Sequence, residues 1–198
     1  EVDVTRGVIE LEPVTSELAS GNIAVITVNE FSANVGADVF AEWQSLKKKA
    51  PGGRIAGLVL DLRNNPGGSL DESVALSDLF LSNGRIVSQR GRARGETMLY
   101  DAETVYRGDM AEGVPMIVLI NAGSASASEI VAGALQDHRR ALVMGERSFG
   151  KGSVQSLLPL GPDAALKLTT ARYFTPAGKS VQEGGIRPDI TVPQISDP

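Results

Sequence analysis

The chain has 198 residues, 42% of them hydrophobic and 22% charged, with a net charge of -5. These values exclude a disordered segment, which pairs low hydrophobicity with high charge, and a surface built to grip nucleic-acid phosphates. The absence of cysteine and the single histidine, His138, exclude disulfides, a thiolate zinc site and a cysteine nucleophile.

Only carboxylates remain for a hard cation, so neither a metal nor a cofactor is expected. The length suits one compact domain over residues 1–198. The longest apolar runs, such as Met116–Ile120, fall far short of the roughly 20 residues of a membrane span. No signal peptide opens the chain, and any targeting sequence is expected to have been removed. The short basic stretches Lys47–Lys49 and Arg90–Arg94 read as a solvated helix end and a loop.

Ile23–Val28 is a β-rich apolar run, and Val39, Phe40, Trp43 and Leu46 follow at helical spacing until Gly52 and Gly53 stop them. A second run, Ile55–Leu62, ends in Arg63-Asn64-Asn65-Pro66-Gly67-Gly68. Leu70, Val74, Leu76 and Phe80 then predict a helix. The unit repeats as Met116–Ile120, Asn121-Ala122-Gly123, an Ala-rich helix over Ser124–Gln136 and a strand at Ala141–Met144. Such alternation predicts an α/β layered fold with helices packed on a sheet. Beyond Gly150 the short β segments Val154–Leu158, Leu166–Tyr173 and Ile190–Val192 make the last third mainly strand. Ser88–Gly113 is charged and weakly periodic, and is expected to be a surface insertion or a lid.

In open α/β sheets sites form beyond the carboxyl ends of the strands, which points to the loops after Leu62 and Ile120. In Gly123-Ser124-Ala125-Ser126-Ala127-Ser128-Glu129 a serine meets the start of a helix, where free amides and the helix dipole would stabilise an oxyanion. Ser124 reads as the N-cap, with Glu129 beyond the capping-box spacing. Ser126 is then free to react.

A serine nucleophile needs a base. His138 lies 12 residues after Ser126, roughly 18 Å along a continuous helix at about 1.5 Å per residue, and Asp137 is nearly as far. Asp137 reads as structural and His138 as a surface residue. Lys151, in the glycine-flanked loop Ser148-Phe149-Gly150-Lys151-Gly152-Ser153, is either an exposed turn residue or the base. The second role requires a dry, apolar pocket that lowers its pKa by roughly 3 units. The same loop lacks the spacer of a phosphate-binding loop, so no nucleotide site follows. Asn64-Asn65-Pro66-Gly67-Gly68 is either a simple turn or a loop that points an amide at a reacting carbonyl.

Taken together, Leu60-Asp61-Leu62-Arg63-Asn64-Asn65-Pro66-Gly67-Gly68, Gly123 through Asp137, and Gly150-Lys151-Gly152-Ser153-Val154-Gln155 resemble the C-terminal processing (tail-specific) proteases. The likeness continues through Leu168–Tyr173 and Gly185–Ile190. It implies Ser126 as nucleophile, Lys151 as general base and Gln155 as the residue that helps hold the lysine. It also implies an oxyanion hole made by the amide of Ala127 with one from Gly67 or Gly68.

The implied fold is that of the Clp protease and crotonase group. The implied activity is serine endopeptidase cleavage of protein or peptide substrates near their C-termini, through an acyl-enzyme. Members commonly carry a PDZ domain, and this chain is expected to start just past it, with residues 1–20 as a remnant of the linker. The resemblance further implies a periplasmic or otherwise extracytoplasmic location. It is compatible with a homo-oligomer and brings no nucleic acid and no membrane association of the core itself. Two rival readings are a dormant peptide-binding core that needs its PDZ domain or a partner for turnover, and, by fold analogy alone, a crotonase-like acyl-CoA enzyme.

Overall fold

The computed structural model describes residues 12–93, 95–103, 108–162, 164–182 and 184–194. In chain order the elements are β1 (Val14–Ala19), β2 (Ile23–Val28), α1 (Val35–Lys49), β3 (Gly57–Asp61), α2 (Leu70–Asp78), β4 (Arg85–Gly91) and β5 (Thr97–Asp101). They continue with β6 (Met116–Ile120), α3 (Ala127–Asp137), β7 (Leu142–Gly145), β8 (Ser153–Gly161), β9 (Ala164–Phe174) and β10 (Ile190–Thr191). One sheet has the order β1-β2-β3-β6-β7-β10 and the other the order β5-β4-β9-β8. This is the layered α/β arrangement expected, with the last third mainly strand.

In the first sheet β1 pairs antiparallel with β2, and every later neighbour is parallel. β2 alternates, burying Ala24, Ile26 and Val28, as a strand with one core face must. Central β3 buries Leu58 and Leu60 on one face and Gly57 and Asp61 on the other, with Val59 partly covered, which fits a strand between parallel neighbours. The second sheet is antiparallel throughout. Within Ser88–Gly113, residues 88–91 belong to β4 and Thr97–Asp101 form β5, and β4 pairs with β9. Of the segment expected as linker remnant, Val14–Ala19 is the edge strand β1, and residues 1–11 lie outside the described residues.

The helices form where apolar positions share a face. α1 buries Val35, Val39, Trp43 and Leu46, with Asp38 in its first turn and Lys47–Lys49 in its last, both favourable to its dipole. The Trp43 indole donates to the carbonyl of Met110 at 3.1 Å. α2 is capped by Ser69, and its Glu72 carboxylate also accepts the amides of Asn34 and Gly36, locking the starts of α1 and α2 together. Phe80, read as helical, falls past the end of α2 but is buried.

α3 is buried from Ala127 to Leu135, as expected of a helix apolar on all sides. Its small residues permit this close packing. A Cβ on Gly133 would lie 3.1 Å from both Ile186 Cδ1 and Thr175 Cγ2. The N-terminus of this central helix stands at the carboxyl end of β6, next to the carboxyl end of β3.

Candidate active site

The two loops that leave β3 and β6 are stitched together by buried polar groups. Asn64 N donates to Asn121 Oδ1 at 2.9 Å, and Asn121 Nδ2 donates back to Asn64 Oδ1 at 2.8 Å. Ser124 Oγ donates to the carbonyl of Leu62 at 2.7 Å and accepts Asn121 N at 3.0 Å. The Asn65 carbonyl takes both Ala125 N, at 2.9 Å, and Ser128 Oγ, at 3.0 Å. Asn65 is fully buried; its Nδ2 donates to the Val28 carbonyl at 2.7 Å, and its Oδ1 accepts Gly67 N at 2.8 Å. A packed loop pair can leave so few polar groups unpaired only when each partner is supplied from the other side.

Ser126, not Ser124, precedes the first turn of α3. Its φ of 56° and ψ of -111° lie outside the regions a serine ordinarily occupies, and such strain persists only where neighbours over-determine it. The neighbour is Gly67. A Cβ there would meet Ala125 O at 2.7 Å, Ser126 Cβ at 2.8 Å and Ala127 N at 3.0 Å, so no other residue lets the loops approach this closely. Gly67 N is committed to Asn65. The amides of Gly68 and Ala127 have no hydrogen-bond partner among the described residues.

Because the helix starts at Ala127, Glu129 is its third residue and stands at the capping-box position. The Ser-x-x-Glu spacing was present in the sequence; placing the cap at Ser124 hid it. The Glu129 carboxylate, with 0% of the residue exposed, joins the site together. One oxygen accepts Ser126 N at 2.8 Å and Lys151 N at 2.9 Å. The other accepts Gly150 N at 2.6 Å and the hydroxyl of Ser148.

The main-chain nitrogens of Ser126 and Lys151 therefore share one acceptor atom, and the two bonds of 2.8 and 2.9 Å limit their separation to about 5.7 Å. The flexible four-carbon stem of a lysine spans such a distance. Ser148 is itself held by Ile186, through the Ile186 amide to its Oγ at 2.7 Å and its own amide to the Ile186 carbonyl at 3.1 Å.

Of the two readings left open for Lys151, the side chain takes the exposed one: the residue is exposed, as is Gln155, and neither side chain has a hydrogen bond or ion pair among the described residues. The reason is topological, because Lys151 just precedes β8, the outer strand of its sheet, and Gln155 lies within that strand, while the nearby Phe149 is 69% exposed. His138 is not a free surface residue. It is the C-cap of α3, half-buried, with Nε2 against the carbonyl of Arg85 at 2.6 Å. Asp137 is structural, accepting Ala177 N at 2.9 Å beyond β9. Among the described residues no group of His, Asp and Glu could hold a metal ion.

A model of peptidase family S41 matches residues 22–192. The chain belongs to that family. It is 48% identical over 194 residues to a carboxy-terminal-processing protease of Bartonella bacilliformis, covering 98% of this chain and 44% of that protein. It is 40% identical to a carboxyl-terminal-processing protease of Picosynechococcus, covering 98% of this chain and 45% of that one. The solved photosystem II D1 C-terminal processing protease superposes with a TM-score of 0.80 at 32% identity, over 96% of this chain and 50% of its own. The S41 chain thus spans less than half the length of these two curated relatives.

Proposed function

We propose that this chain is the catalytic core of a serine endopeptidase that cuts protein substrates near their C-termini, with Ser126 as nucleophile and Lys151 as general base. The observation that carries the reading is the single buried Glu129 oxygen that holds the backbones of both residues. The relatives named as C-terminal processing proteases support the substrate class.

In this mechanism neutral Lys151 takes the proton from Ser126 Oγ as the oxygen attacks a peptide carbonyl. The oxyanion forms between the amides of Ala127 and Gly68. Gly68 is preferred to Gly67 because the Gly67 amide is committed to Asn65. The Lys151 ammonium returns its proton to the leaving amine, and the lysine then activates the water that hydrolyses the acyl-enzyme. Gln155, four residues along the chain, steadies the lysine when the site is covered. The extracytoplasmic, periplasmic location that the resemblance implies belongs to the same proposal.

Mass spectrometry after incubation with a fluorophosphonate probe tests the chemistry. Label is expected on Ser126 and absent from Ser126→Ala and Lys151→Ala. Undiminished labelling of Lys151→Ala would refute the lysine's role.

A further inference from the structure

A second polar cleft opens at the other end of α3, about 15 Å along the helix from Ser126. Its walls come from the end of α3 and from the chain after β9, and include Asp137, Arg139, Thr175, Lys179, Arg187 and Asp189. The carboxylates there are already engaged. Asp137 accepts Ala177 N and pairs with Lys179 at 3.7 Å, while Asp189 accepts Gln136 Nε2 at 3.0 Å and Val143 N at 2.8 Å. Arg139 and Arg187 have no ion-pair partner among the described residues.

Thr175 supplies the independent sign of a ligand. Only 7% of the residue is exposed, and its Oγ1 is a buried polar atom without a hydrogen-bond partner. Such a group is rare in a folded protein and calls for an occupant that satisfies it. A hydroxyl lining the same cleft as two guanidiniums without ion-pair partners fits an oxyanion, because the guanidinium fork matches carboxylate and phosphate oxygens two at a time.

We propose that this cleft binds an oxyanion of carboxylate or phosphate type, held by Arg139, Arg187 and Thr175. The inference goes beyond the peptidase reading and stands independently of it, so the test uses Ser126→Ala protein, in which no acyl-enzyme can form. The 15N-labelled protein is titrated with inorganic phosphate, then with N-acetyl-trialanine as free acid and as amide, and followed by NMR. Saturable shifts are expected at Thr175, Gly184 and Gly185, with affinity about tenfold or more weaker in Arg139→Gln and in Arg187→Gln. Both arginines are exposed, so these variants keep the fold. Response to phosphate alone identifies a free oxyanion, and response to the free acid but not the amide identifies a peptide carboxylate; either supports the site. No saturable shift at these residues, or affinities unchanged in both variants, overturns it.

Discussion

Replacing Glu129 by Gln isolates what one buried carboxylate does for the site. The carboxylate accepts four donors, of which the Ser148 hydroxyl and the Gly150 amide are fully buried. A carboxamide keeps one acceptor oxygen and turns the other into a donor. If its nitrogen faces Ser126 and Lys151, two amides lose their acceptor; if it faces Ser148 and Gly150, at least the Gly150 amide does. Leaving a buried donor unpaired costs about 1–3 kcal/mol, so Glu129→Gln should fold with that much less stability in urea unfolding.

Glu129→Ala strands both fully buried donors and should lose about twice as much, a large share of the typical 5–15 kcal/mol of a domain. The kinetic consequence follows from position. Glu129 holds the backbones of Ser126 and Lys151, the proposed nucleophile and base, so a displacement of about 1 Å should lower kcat about 100-fold with little change in KM. Steady-state cleavage of a peptide by the folded Gln variant decides the matter. A kcat within a factor of two of the parent would refute the reasoning.

Gly67→Ala combines a φ of 102° with a Cβ 2.8 Å from that of Ser126, and should lower probe labelling of Ser126 at least about 100-fold by pushing that residue aside; normal labelling would show that the two loops can separate freely. Asn65→Asp replaces the donor to the Val28 carbonyl with an acceptor and should cost about 1–3 kcal/mol in denaturant unfolding, whereas an unchanged midpoint would remove that bond from the account of the loop. Arg140 pairs with Asp109 and donates to the carbonyls of Ala111 and Val114 with only 15% of its side chain exposed. Arg140→Met should therefore lose about 3 kcal/mol, the lower end for a broken buried pair, and a loss below about 0.5 kcal/mol would mark the pair as superficial.

How far the sequence could be read depended on whether the relevant contacts were local. β2, β3, β6 and β7 follow from apolar runs that keep their meaning in any context, and the loops after β3 and β6 were legible as sites because strand ends place them together. β1 was not, because Val14-Thr15-Ser16-Glu17-Leu18-Ala19 is a mixed edge strand whose identity comes from pairing with β2. β4 and β5 were missed for the same reason: Arg90 pairs with Arg172 of β9 and stacks on the Phe174 ring at 4.3 Å, a partnership more than 80 residues distant. The cap was misplaced because Ser126 occupies a backbone region that serine propensities do not suggest, and the clamp by Glu129 went unseen with it.

The exposure of Lys151 has a consequence for the substrates that the site can use. A lysine base works best in dry surroundings, and the Lys151 side chain is exposed near an uncovered Phe149. Its backbone is already fixed by Glu129, so what is missing is cover for the side chain. An extended substrate lying along the outer edge of β8, which begins two residues after Lys151, would supply it by excluding water from the lysine as it binds. Residues of the substrate remote from the cut would then contribute to the chemical step as well as to binding. Lengthening a peptide substrate by two or three residues on either side should therefore raise kcat, by about tenfold if the cover recovers about 1.4 kcal/mol, with a smaller effect in Phe149→Ala. If kcat stayed constant across such a series while only KM fell, the lysine would have to be desolvated by some means other than the substrate.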